Sequence, residues 1–180
     1  MRTLGAILAG GRSRRFGSDK AVALLDGVAL IGRVIAALGP QVDALVVCGR
    51  TIDGYDCVAD RPGPDLGPLG GLSAALHYAR ANGFDRVVSA PCDAPFLPVD
   101  LVARLAEPPC YVAAMPVIGL WPSSLSETLD RHLATADDRS MRSWAVIAGV
   151  RSVDLGALDN VNTPADLDQL ASAVRSASSI

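Results

Sequence analysis

Lysine is almost absent from this chain: fifteen of its sixteen basic residues are arginine, and Lys20 is the single lysine. Positive charge as a whole is also scarce, because nineteen acidic residues leave a net charge of −3. No field of the whole molecule therefore draws nucleic acid or an anionic membrane surface, and any phosphate has to be held by a local device. No apolar run approaches the ~18 residues that a membrane span needs. The run Thr3–Leu8 after Arg2 is short and leads into glycine and arginine, so it reads as a first buried strand rather than a signal peptide. The four cysteines, Cys48, Cys57, Cys92 and Cys110, form no C-x-x-C pair and have no histidine at zinc-finger spacing. Neither a disulfide framework nor a structural zinc follows, and four thiols in a reducing cytoplasm are the expectation. The two histidines, His77 and His132, fall within predicted helices as surface or packing residues, which leaves no Ser/His/Asp or Cys/His arrangement for covalent catalysis.

At 180 residues, half of them hydrophobic, the chain suits one well-packed domain, 1–180, with 176–180 expected to fray. Apolar runs of strand length alternate with stretches of helical period. Leu4–Leu8 is followed by the stripe Leu30, Ile31, Val34, Ile35, Leu38, then Ala44–Cys48, a helical face from Leu72 to Ala79, the strand Arg86–Ala90 and a short helix over Leu101–Leu105. Strands that are apolar on both faces, separated by helices, predict an α/β fold with a mostly parallel sheet covered on both sides. Further on, Tyr111–Met115 and Val117–Leu120 are predicted strands, and Ser124-x-x-Glu127 reads as a capping box opening a helix. Ser152–Leu155 is a predicted strand, and Thr163-Pro164 a helix start with a good N-cap and first residue.

Three long irregular stretches, 9–19, 60–70 and 91–98, each follow a predicted strand, and in an open parallel sheet such loops gather at one edge, where ligands bind. In the first, Gly10 and Gly11 let backbone amides approach an anion, while Arg12, Arg14, Arg15 and Lys20 add charge. It is neither a G-x-x-x-x-G-K-[ST] loop nor a G-x-G-x-x-G turn. The second, opened by Asp60 and stiffened by prolines and glycines, can present amides and a carboxylate to a base or ribose; taken alone it is equally a structural connector. The third sets Asp93 just after an apolar strand, where one carboxylate can hold a divalent cation together with substrate phosphates, or can serve as a turn former. Together the three offer what attack on the α-phosphate of a nucleoside triphosphate requires, which is charge stabilisation without a covalent intermediate.

Four stretches carry a resemblance: LAGGRSRRFGSDK at 8–20, DRPGPDLGPLGGL at 60–72, PCDAPFLPVDL at 91–101 and NVNTPADL at 160–167. In that order they resemble the molybdenum cofactor guanylyltransferase (MobA-type) family, nucleotidyltransferases of a three-layer α/β/α, Rossmann-like fold of the nucleotide-diphospho-sugar-transferase type. The resemblance implies transfer of GMP from GTP to the phosphate of a molybdopterin-type acceptor, with release of pyrophosphate and with Mg2+ as cofactor. It implies Leu8, Ala9, Gly10 and Gly11 around the nucleotide, Lys20 on its phosphates, Asp60 near the guanosine, and Asp93 on magnesium as well as nucleotide. Lys20, Asp93 and Arg15 become the catalytic candidates, and Asn160 and Asn162 match near-terminal asparagines by the site. It further implies molybdenum cofactor chaperones or molybdoenzymes as partners that receive the product. The chain has Cys48 where the family commonly has a polar residue, and no Arg or Lys between Arg104 and Arg131, so an acceptor phosphate would fall to Arg139, Arg142 or Arg151. The alternatives are a cytidylyl or other nucleotidyltransferase with a different acceptor, and a nucleotide-binding module without catalysis.

Overall fold

The computed structural model describes residues 1–10 and 19–177. In chain order its strands and helices are β1 (Thr3–Leu8), β2 (Leu24–Leu25), β3 (Val28–Ala29), α1 (Leu30–Leu38), β4 (Ala44–Cys48), β5 (Asp56–Val58), α2 (Pro68–Ala81), β6 (Arg86–Pro91), α3 (Leu101–Leu105), β7 (Cys110–Val112), β8 (Met115–Pro122), α4 (Ser126–Thr135), α5 (Met141–Ile147), β9 (Arg151–Val153) and α6 (Pro164–Ala177). Every residue of β1 is buried. This follows from its place in the seven-stranded order β5-β4-β1-β6-β8-β7-β9, in which it lies parallel to both β4 and β6. Among the described residues of this sheet only β8 runs antiparallel to its neighbours, so the sheet is mostly parallel as expected, while β2 and β3 form a separate antiparallel pair.

Alternation along β1 sorts the core into two layers. Ile7 faces the side covered by α1 and α3, through Ile31, Val34, Leu38, Leu101 and Leu105. Leu4, Ala6 and Leu8 face the side covered by α2, α4 and α5, where Trp121 and Trp144 are fully buried. Each fully buried Leu, Ile or Val in these layers contributes roughly 1.5–3 kcal/mol. The Trp121 indole N–H donates to Ser89 Oγ at 2.8 Å, and that hydroxyl donates to the Val117 carbonyl at 2.7 Å, so the large buried ring leaves no polar atom of its own unmatched. A third, small cluster joins Leu25 and Leu30 to Val161 and the inner face of α6.

Several local expectations shift. α2 starts at Pro68 rather than Leu72, using proline where a missing N–H costs nothing. The Ser124–Glu127 capping box does not form: Ser123–Leu125 is already wound as a 3-10 turn, α4 starts at Ser126 with no side-chain cap, and Glu127 instead accepts from Arg80 at 2.6 Å. The strand pair expected at 111–115 and 117–120 turns earlier, at Ala113 and Ala114, and the last strand is Arg151–Val153. α6 continues through Ala177, the second residue of the tail expected to fray, and the rest of that tail lies outside the described residues. Its start holds as read, because Thr163 Oγ1 accepts the Asp166 N–H at 3.2 Å while the Asp166 carboxylate accepts the Thr163 N–H at 2.9 Å. Both histidines are packing residues: His77 bonds Asp130 at 2.7 Å, and His132 lies 5.6 Å, centroid to centroid, from Trp144.

The chain runs outward from β1 to β4 and β5, then returns to place β6 on the other side of β1. The crevice between the C-terminal ends of β1 and β6 is thus the topological switch point of the sheet. It is closed on the β4 side by backbone contact. Gly49 has φ +84°, and a Cβ there would stand 2.5 Å from Gly10 Cα and 2.6 Å from Gly10 N. Gly49→Ala is expected to lower stability by about 2 kcal/mol or more, through both the left-handed backbone and the clash. A thermal melt against the parent chain checks this, and a melting temperature equal to the parent's would show that the two loops separate without cost.

Candidate functional site

The ends of β1, β4 and β6 are stitched together by main-chain bonds: Ala9 N–H donates to Cys48 O at 2.9 Å and Cys92 N–H to Leu8 O at 3.2 Å. Above them lies a cavity of about 310 Å³ whose walls include Leu8, Ala9, Gly10, Lys20, Asp60 and Asp93. The N-terminal turn of α2 adds Gly67, Pro68 and Gly71, and Val117 of β8 closes the far side.

Asp60 leaves β5 and points under Gly10. A Cβ at Gly10 would come within 2.8 Å of Asp60 Oδ2, so only glycine leaves room for the carboxylate. Asp60 Oδ1 is buried and has no hydrogen-bond partner among the described residues. Burial accordingly pushes the Asp60 carboxyl above its ordinary value, since the charged form has lost water and gained no donor.

Lys20 opens a 3-10 turn, Lys20–Val22, that Asp19 caps by accepting the Ala21 N–H at 3.2 Å. From there the Lys20 ammonium reaches across to pair with the Asp93 carboxylate. Asp93 is only 9 % exposed, and its carbonyl accepts the Val161 N–H at 2.9 Å, which sets Asn160 and Asn162 on either side of that contact. Asp19 also binds Arg50, whose Nη2 donates to Asp19 Oδ2 at 2.6 Å. Burial and the Asp93 charge push the neighbouring Cys92 thiol up to about 11, with Lys20 and Arg50 pulling the other way, so this thiol is no nucleophile at neutral pH. Cys48, buried and beside Asp60, is raised further. No group of three or more metal-ligating side chains gathers among the described residues. A hard cation here would take one carboxylate oxygen, from Asp93, and the rest from ligand oxygens or water, a donor set that suits magnesium.

Leu8, Ala9, Gly10, Lys20, Asp60 and Asp93, separated by up to 85 positions in sequence, thus meet around one cavity. Gly11, Arg12, Arg14 and Arg15 lie outside the described residues. Arg142 donates to the Ala113 carbonyl at 3.3 Å, just past the end of β7 and therefore on the same edge of the sheet as the cavity. Arg139 is exposed in the connection before α5 and is not part of the cavity wall. Arg151 does not belong with them. It begins β9 at the opposite edge and donates to the Glu107 carbonyl at 3.0 Å, because a parallel strand starts where its neighbours start. Asp19, Arg50 and Gly49 escaped the sequence reading. The signals were an acid directly before the single lysine, at a helical N-cap, and a Gly-Arg pair directly after a strand.

The MobA-like NTP transferase domain matches residues 5–151. The molybdenum cofactor guanylyltransferase of Cereibacter sphaeroides (strain ATCC 17029 / ATH 2.4.9) is 39% identical, over 97% of this chain and 98% of that protein. That of Rhodobacter capsulatus is 38% identical, over 93% and 94%. Among solved structures, molybdopterin-guanine dinucleotide biosynthesis protein A from Archaeoglobus fulgidus superposes with a TM-score of 0.73 at 22% identity, covering 96% of this chain and 98% of that one. A CMP:2-keto-3-deoxy-manno-octonic acid synthetase complexed with CTP superposes with a TM-score of 0.75 at 14% identity, covering 98% and 99%. The two structures share the fold.

The unpartnered Asp60 oxygen has a consequence for stability. A carboxyl whose folded pKa is raised binds its proton more tightly in the folded chain than in the unfolded one. Stability therefore falls as pH rises from the ordinary value of 3.8 through the folded pKa, and stays lower above it. Asp60→Asn, which keeps the shape and removes the charge, is expected to melt higher than the parent at pH 7 and to lose that advantage below pH 3.8. Melting curves of both proteins across pH decide it, and a variant less stable at pH 7 would mean that the carboxylate is better matched than its geometry indicates.

Proposed function

The chain belongs to the MobA-like NTP transferase domain family, and from that membership and the chemistry of the cavity we propose that it is a molybdenum cofactor guanylyltransferase. In this reading a single nucleotidyltransferase domain transfers GMP from GTP to the phosphate of a molybdopterin-type acceptor. An acceptor phosphate oxygen attacks the α-phosphorus, the bond from that phosphorus to the bridging oxygen breaks, and pyrophosphate leaves with the electron pair. The observation that carries the reading is the Lys20–Asp93 pair at the switch point, beside a cavity whose Asp60 holds an unmatched acceptor.

Each residue has a task that its surroundings support. Asp60 Oδ1 lacks a donor, which a guanine N–H or a ribose hydroxyl supplies. Gly10, with Gly11 and Arg15 from the adjoining loop, holds the phosphates, and Leu8 and Ala9 form the wall behind them. Asp93 is the residue to hold Mg2+, which when bound supplies charge neutralisation on the phosphates. Lys20 passes from Asp93 to the triphosphate as the nucleotide arrives, so both charges keep a counter-ion throughout. The ammonium then offsets the charge that builds on the bridging oxygen. Asn160 and Asn162, flanking the Val161–Asp93 bond, and Arg142 on the same edge are the groups proposed to meet the acceptor, together with the exposed Arg139. Four unpaired thiols suit a reducing cytoplasm, and the product passes to molybdenum cofactor chaperones or molybdoenzymes.

With magnesium present, GTP is expected to raise the melting temperature by mass action more than ATP or CTP at equal concentration, and pyrophosphate is expected to appear once the molybdenum-loaded pterin is added. Equal stabilisation by the three nucleotides would remove the guanine assignment, and binding without pyrophosphate would make the chain a binding module. Lys20→Arg is expected to keep most of the GTP affinity while kcat falls by roughly two orders of magnitude, because a planar guanidinium does not replace a compact ammonium at a point-charge site. Steady-state rates and equilibrium GTP binding on that variant check it. Near-normal turnover would take Lys20 out of the chemistry, and a loss confined to binding would leave it as an anchor.

A further inference from the structure

We propose that Arg50 is a positioning residue for Lys20, acting through the Asp19 carboxylate, and that it governs turnover without touching substrate. The inference rests on the catalytic role given to Lys20 above.

One carboxylate does two jobs at this place. Asp19 Oδ1 accepts the Ala21 N–H at 3.2 Å and so winds the turn that starts at Lys20. Its other oxygen, Oδ2, is held by Arg50 Nη2 at 2.6 Å. The turn is fastened further by Ala23 N–H to Lys20 O at 3.1 Å, and Ala21 is 2 % exposed. Among the described residues the turn that carries Lys20 is thus tied through Ala23 on one side and through Asp19 on the other, and Arg50 is what holds Asp19. A small rotation there would swing the ammonium, at the end of a long flexible stem, away from Asp93.

Arg50 is itself held in place. It follows Gly49, whose φ of +84° and close packing on Gly10 fix where the chain leaves β4. Its side chain is 21% exposed against 46% for Asp19, and its Nε is buried with no partner among the described residues. An arginine kept under such a cost calls for an explanation beyond surface solubility. With Nη2 engaged by Asp19 and Nε buried, only Nη1 is left for any other contact, which rules out a bidentate grip on a phosphate. A half-exposed ion pair of this kind contributes little to global stability, so loss of Arg50 is not expected to unfold the chain.

The experiment is a mutant cycle with a second, activity-free readout. Arg50→Ala is expected to lower kcat roughly tenfold, with KM for GTP within about twofold of the parent and the melting temperature nearly unchanged. Arg50→Lys, which restores a cation to Asp19, is expected to recover most of the rate. In a Lys20→Ala background, Arg50→Ala is expected to cost nothing more, since a lever without its load has no effect. Hydrogen exchange of the Ala21 amide, followed in the free protein, is expected to speed up in Arg50→Ala. Additive losses in the double variant, or a rise in KM with kcat intact, would mean that Arg50 meets the nucleotide directly and would overturn the proposal. So would a rate loss that tracks a lowered melting temperature and is not recovered by Arg50→Lys. Normal turnover in Lys20→Ala would bring down the catalytic reading of Lys20 and this proposal together. A defective Lys20→Ala with unchanged Ala21 exchange in Arg50→Ala would bring down this proposal alone.

Discussion

The contact between Gly49 and Gly10, with Asp60 tucked beneath, is the constraint on which the rest of the site depends. Two strand-end loops meet there at main-chain distance, with no side-chain volume between them. That closeness lets the β5 carboxylate reach under the β1 loop, and it also directs Arg50 toward Asp19. Packing and charge are inseparable at this point, because the same glycines that shorten the distance also exclude the water that would have solvated Asp60 Oδ1. A site built this way holds an unsatisfied acceptor before ligand arrives, so part of the binding free energy is stored in the fold.

The opposite wall of the cavity is built on different terms. There Trp121, Ser89 and the Val117 carbonyl form a fully matched chain of hydrogen bonds inside the sheet. Val117 lines the cavity on that side, held by a network with no polar atom left over. One wall is thus matched in its hydrogen bonds and the other crowded around an unmatched oxygen, with the Lys20 side chain between them.

What could be read from sequence follows the length scale of the interaction. β1, α1, β4 and β6 are long, apolar and regular in period, and their order alone implied loops collected at one edge. Lys20, Asp60 and Asp93 could be singled out because each stands in a loop with glycine or proline after an apolar run, and their meeting follows from the parallel sheet. Arg50 could not, since nothing local says that its partner is Asp19, thirty-one positions earlier. The failed capping box at Ser124 and the short strands β2, β3 and β5 have a common cause: two- or three-residue elements are set by what they pack on, and tertiary context overrides local preference. Arg151 was a candidate for the acceptor phosphate because sequence alone does not show that β9 runs parallel to β7 and so starts at the edge away from the cavity.

The bond from Val161 to the Asp93 carbonyl ties the cavity to a late part of the chain. Val161 is fully buried against Leu25 and Leu30, with α6 packed behind it. During synthesis, β1, β4 and β6 can emerge from the ribosome and pair well before residue 161 has been made. A nascent chain in that condition has the strand ends around the cavity assembled while the support behind Asp93 is still missing. Completion of the site thereby waits on a segment made some seventy residues after β6.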